Sequence, residues 1–384
     1  MQYPPPQTPS ALSFSGSASF FTDAAPLGQS PVLLQCDVTG RIICWCLAPP
    51  LPLKFALLGD TEIRGEGTLV DGRPFNCSYL HPVSWPSEAL PADAVALHSP
   101  HLIIGQEAPV HGWTFAVTNL LLQNFSTAER PAIVSIPQRN LRVTLTPVAD
   151  YGVRMAHLRA YKGTDVTAML SVHATSPAND FTVADDLCLI FSVLTGHKVN
   201  WVARQAGRTM IFEDRVTKPC SGWPVLGRLA SALGRDWDWQ DLLAAATDAL
   251  PAFRDHAVPY RLRCGLVDAW IDARIETDFL ETRGLKTVAV LEVIKSAYRD
   301  HTNVHGGFRD LLEGVHEYLG LPIPDTLPTI VEIRNRLVHE GRFLPAAEIP
   351  VVQQYELLAC HTDRLVLAIA GYKGMTTSAT GTTG

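Results

Sequence analysis

Within the stretch RNRLVH, Arg334, Asn335 and His339 bring together three side chains of complementary chemistry. A histidine titrates near neutral pH and can both take and give a proton. A guanidinium keeps its charge and can hold a phosphate while negative charge develops on it. An asparagine can orient the imidazole or bond a phosphate oxygen. At a ribonucleotide phosphodiester, such a set would move protons to and from the ribose 2′-oxygen and the leaving 5′-oxygen. Neither a metal nor a cofactor is required for that chemistry.

The surrounding DTLPTIVEIRNRLVHEG predicts a helix. Asp325 or Thr326 can cap it, Pro328 suits its first turn, and Gly341 is placed to end it. Winding at about 100° per residue puts Leu327, Ile330, Val331, Leu337 and Val338 on one apolar stripe, with Ile333 at its margin and Arg334 in its middle. Asn335 and His339 share the edge of that stripe, while Glu332 and Arg336 point away. A guanidinium on a packing face needs a carboxylate or a phosphate beside it. The plain alternative is an ion pair at Arg334, with His339 merely ending a helix near its negative end. Asp268, Asp272, Glu276 and Asp278 are available acids, and the sequence does not choose among them.

The spacing of Arg334, Asn335 and His339, with four residues between arginine and histidine, resembles the motif of the HEPN family. YRLRCGLVDAWIDARIETDFLE and KTVAVLEVIKSAY are similar to the first helix pair of such bundles. The β-rich first half, with WTFAVTNLLL and a hairpin near Asp71, loosely resembles ApeA-type anti-phage proteins of that family. The resemblance implies a metal-independent RNA endonuclease in anti-phage defence or a toxin-like system. It implies cleavage by the ribose 2′-hydroxyl to a cyclic phosphate, catalysed by Arg334, Asn335 and His339 in a homodimer. The first half would then sense a trigger, such as a phage or cellular protein, or restrain the bundle. The rival is a HEPN bundle kept for dimerisation or binding, with a ligand-binding β domain.

The elements that must position these residues fall into two halves. At 384 residues the chain accommodates two or three domains, and 47% hydrophobic and 18% charged residues suit a globular protein. A formal charge of -7 offers no global attraction to a polyanion, so any RNA contact must be local. The 24 arginines against 7 lysines suit phosphate recognition but also simple compositional bias. MQYPPPQTPS carries no basic or apolar leader, and LCLIFSVL at 187–194 is too short to cross a bilayer, so a cytoplasmic protein without a membrane partner is expected.

The expected class is α+β, a β-rich sandwich or barrel-like domain followed by an all-α bundle. Residues 1–10 are a flexible start, 11–180 the β domain, 181–234 a helix and hairpin connection, 235–374 the helical domain and 375–384 a disordered tail. Short strands include PVLLQC, RIICWCLA, KFALLG, TEIRGEGTLV and LRVTLTPV, and Asp71-Gly72 marks a hairpin. Separate hydrophobic patterns predict that a fragment from about 235 onward folds alone.

Other candidates carry less. Eight scattered cysteines, Cys44 and Cys46 among them, form no CxxC pair and read as buried thiols. His301 and His305 would be metal ligands only if helical, joined by His316 or Glu317, and the glycines that follow favour a loop. Trp237 and Trp239 could stack bases but read better as interdomain packing.

Overall fold

The computed structural model describes residues 12–37, 40–59, 61–83, 93–106, 110–122, 131–136, 140–161, 163–178, 182–215, 238–255, 260–274, 278–345 and 349–372. Residues 1–10, Trp237, Glu276, the segment 216–234 and the tail 375–384 lie outside them. The chain is mixed α+β, its β elements preceding most of its helices.

The first strands are β1 (Leu12–Phe21), β2 (Pro26–Cys36), β3 (Ile42–Cys46), β4 (Ile63–Leu69), β5 (Pro74–Pro82), β6 (Val95–Ser99) and β7 (His101–Ile104). Then come β8 (Val110–Thr118), β9 (Ala132–Ile136), β10 (Leu141–Pro147), β11 (Val166–Ala178), β12 (Asn200–Ala206) and β13 (Thr209–Glu213). They form one sheet in the order β4-β1-β2-β3-β6-β5-β7-β13-β12-β8-β11-β10-β9. A further pairing of β4 with β5 closes the first six strands into a barrel. Closure suits the alternation in β2, where Val32, Leu34 and Cys36 point into a core shared with Ile42, Cys44, Cys77 and Leu97. Asp71-Gly72 turns β4 into β5 as expected: Gly72 has φ 83 and donates to the Leu69 carbonyl at 2.9 Å.

Three expectations change. KFALLG is not a strand: α1 (Leu51–Ala56) begins behind Pro50 and carries Pro52 in its first turn, where a missing N–H costs nothing. The hairpin β12–β13 is built into the sheet itself: β12 pairs with β8 and β13 with β7, joining the barrel to the remaining strands. Finally, one continuous core runs from Trp113 on β8 through to Ala370. Thus the two halves do not have separate hydrophobic cores.

That core is built by α2 (Tyr151–Tyr161), which the sequence reading missed, α3 (Thr182–Thr195), α4 (Trp239–Asp255), α5 (Tyr260–Asp272), α6 (Leu280–Thr302), α7 (Phe308–Leu319), α8 (Leu327–Glu340) and α9 (Val351–Ile369). α3 is buried almost all round, as befits a helix between sheet and bundle. Trp239 of α4 meets Tyr151 of α2 edge-on at 5.1 Å, which is the packing role expected of it. Gln240 pairs with the edge strand β9 through both Ile133 backbone groups, at 2.9 and 3.2 Å. Among the described residues no helix is long and apolar enough to cross a membrane.

Candidate active site

The helix that bears Arg334, Asn335 and His339 forms as expected, with Pro328 in its first turn and Gly341 ending it at φ 68. Thr326 precedes it without a side-chain cap hydrogen bond. Leu327, Ile330, Ile333 and Leu337 are buried, so the packing face centres on Ile330 and Leu337. Val331 is only half-buried and Val338 is exposed, which corrects the expected stripe. Arg334 therefore lies at the margin of the packing face instead of its middle. The reason is a partner: α8 packs on α6, and Leu337 closes tightly over Gly284 where a side chain would intrude. This rolls the helix toward Ile333.

Glu292 of α6 is the carboxylate that Arg334 requires. Arg334 Nε donates to Glu292 Oε1 at 3.0 Å, Nη2 donates to the same oxygen, and Nη1 donates to Asn335 Oδ1 at 3.0 Å. Phe308 at the start of α7 supports the guanidinium, its ring centre 4.7 Å from Cζ. Lys295 Nζ lies 5.4 Å from the same ring and pairs with Glu292. Burial pushes Glu292 toward its neutral form, but hydrogen bonds from Lys295 and Arg334 outweigh it and hold the carboxyl below the usual glutamate range. One carboxylate between two cations leaves a net positive charge on a chain that is negative overall.

His339 is exposed on the last turn of α8 and, among the described residues, has no hydrogen-bond or ion-pair partner. Five residues of helix separate it from Arg334 by about 140° around the axis. The structure thus joins Arg334 to Asn335 but, among the described residues, hydrogen-bonds neither to His339 within one chain. Val338 and Val331 occupy the arc between Arg334 and His339.

The other acids proposed for Arg334 have different partners. Asp268 pairs with Lys198 at 2.5 Å, while Lys286 lies 3.5 Å from Asp272 and 2.6 Å from Asp278. Sequence reasoning missed Glu292, yet a signal was present: it is the sole acid in AVLEVIK, an apolar run where a carboxylate needs a counter-charge. α6 ends at Thr302, so His305 falls beyond it and cannot form a helical pair with His301. His301 instead contacts Tyr318, and His316 is buried in the bundle against His361. Cys44 and Cys46 are buried within the barrel; the hydrogen bond with Cys77 and then burial push the Cys44 thiol well up, and burial with Cys44 nearby pushes Cys46 up, both away from the reactive thiolate. No group of three or more potential metal ligands occurs among the described residues. Comparison of the chain with family models, with curated proteins and with solved structures found no significant match.

Proposed function

We propose that the helical region is a metal-independent RNA endonuclease of HEPN type, working as a cytoplasmic homodimer in a defence or toxin-like setting. The observation that carries this reading is the contrast along one helix. Arg334 is held in place by Glu292, Asn335 and Phe308, while His339 stands exposed and unengaged among the described residues. A fixed cation and a free imidazole are the two components that a transesterification requires.

In the proposed reaction His339 takes the proton from a ribose 2′-hydroxyl, and the 2′-oxygen attacks phosphorus. The bond to the 5′-oxygen breaks, that oxygen receives a proton from a His339 imidazolium, and a 2′,3′-cyclic phosphate and a 5′-hydroxyl remain. Arg334 holds the non-bridging oxygens. Since Arg334 and His339 of one chain point in different directions, two copies meeting over Val331 and Val338 would set Arg334 of one beside His339 of the other. The barrel would be the sensing or restraining part.

A binding module is the second reading, and the Glu292–Arg334 pair favours it by occupying much of the guanidinium's hydrogen-bonding capacity. End analysis of single-stranded RNA incubated with the protein in excess chelator separates the two. Cyclic phosphate and 5′-hydroxyl ends support the nuclease; intact RNA, or 5′-phosphate ends, supports the binding module.

A further inference from the structure

Far from α8, on the outside of the barrel, His81 of β5 and His98 of β6 are direct partners in the antiparallel register. Opposed residues on neighbouring strands have their Cβ atoms within about 5.5 Å, so their rings must meet. They meet nitrogen to nitrogen: His98 Nδ1 lies 3.1 Å from His81 Nε2. The outer nitrogen of each ring is already engaged. His98 Nε2 donates to Asp214, just beyond β13, and His81 Nδ1 donates to the Tyr79 carbonyl at 3.3 Å. A carboxylate and a carbonyl can only accept, so each outer nitrogen carries a proton. The two inner nitrogens then face each other across a gap that a shared cation, either a proton or a metal ion, would bridge.

The ring geometry departs from a straight hydrogen bond, as either a bent one or a shared ion would make it. A straight N–H···N hydrogen bond of this length would hold the ring centres about 5.4 Å apart. Two nitrogens each about 2.05 Å from one ion, subtending about 100°, stand about 3.1 Å apart with ring centres about 4.9 Å apart. The ring centres are 4.7 Å apart. Asp214 and the Tyr79 carbonyl occupy the positions that outer-shell acceptors take behind metal-bound histidines, where they fix the tautomer and the ring.

The backbone is shaped toward the same end. Tyr79 adopts φ 55, an unusual conformation for a bulky residue, at a register irregularity of β4–β5. The extra residue shifts the alternation so that Leu80 enters the core and His81 emerges on the outer face beside His98.

We propose that His81 and His98 chelate a divalent transition ion of the zinc class, oriented by Asp214 and the Tyr79 carbonyl. Imidazole donors suit zinc, copper and nickel. No third protein ligand converges among the described residues, so water fills the remaining positions, and exposed His81 gives the ion its entry. The ion would brace β5 against β6, strands that share just two register pairs.

Calorimetric titration of the full chain with Zn²⁺ in a non-coordinating buffer tests this. One saturable site is expected, lost in His81→Ala and in His98→Gln and retained in His301→Ala. Asp214→Asn should weaken it by about tenfold or more. X-ray absorption of the loaded protein should show two imidazole nitrogens at about 2.0–2.1 Å. Because His81 is exposed, circular dichroism of His81→Ala should match the wild type. Absence of a saturable site, a site that survives His81→Ala, or a spectrum with fewer than two imidazoles would mean that the histidines share only a proton, and would overturn the proposal.

Discussion

Glu292 and Arg334 meet across the contact of α6 and α8, with two guanidinium nitrogens donating to one carboxylate oxygen while Lys295 neutralises the same carboxylate. The pair orients Arg334 beside Asn335 at the margin of the bundle. Replacing Glu292 by glutamine keeps the shape but leaves two cations without their anion. Glu292→Gln should lower stability by about 1–3 kcal/mol in denaturant unfolding and reduce RNA cleavage more than it reduces RNA retention. Unchanged cleavage would show that Arg334 needs no positioning by α6.

The continuous core predicts that the helical part cannot stand alone. A chain beginning near residue 238 would lose the partners of Trp239 on α2, of Gln240 on β9 and of Arg254, whose Nη2 donates to Thr182 Oγ1 at 3.1 Å. Such a fragment should be molten or insoluble by near-ultraviolet circular dichroism and proton NMR. A dispersed spectrum with a cooperative melt would contradict the shared core.

Much of the helix that carries the candidate residues was legible in the sequence. The 3.6-residue period, Pro328 and Gly341 defined α8, and RNRLVH singled out its polar residues. Its rotation was not legible, because periodicity put Val331 and Val338 on the stripe and Ile333 at its margin, whereas a bare Gly284 on another helix turned Ile333 inward. Glu292 was hidden for a related reason, since pairing across helices depends on register that one sequence does not print. The Asp-Gly turn revealed the β4–β5 hairpin, whereas barrel closure depends on pairings between distant strands.

The buried pair His316 and His361, with ring centres 5.1 Å apart, makes the bundle sensitive to acid. Burial, with Arg364 nearby, pushes His316 down to about 4; burial, then His316 and Arg364, pushes His361 down to about 3. Folded-state values below the unfolded 6.5 mean that the unfolded chain binds protons first. Stability is full above about pH 6.5 and falls toward pH 3–4, by up to about 1.4 kcal/mol per pH unit for each histidine. Glu292 adds a loss in the same direction, below the ordinary glutamate range. Melting temperature against pH should flatten between 6.5 and 4 in His316→Gln, and a parallel curve would refute this assignment.

In the proposed dimer the two copies would meet over Val338, 44% exposed on the arc between Arg334 and His339. Light scattering should give a dimer, and Val338→Asp should give a folded monomer with at least tenfold less cleavage. If subunits exchange, mixing Arg334→Ala with His339→Ala chains should restore part of the activity through one composite site. A monomer that cleaves RNA at working concentration would exclude a shared site.

In the proposed reaction the exposed imidazole of His339 moves the protons. The most direct measurement is the single-turnover rate of RNA cleavage, in excess chelator, for wild type and His339→Ala. A fall of about 10²- to 10⁴-fold is expected with the melting temperature nearly unchanged, because the side chain has no partner among the described residues to lose. Cleavage by His339→Ala at the wild-type rate would contradict it.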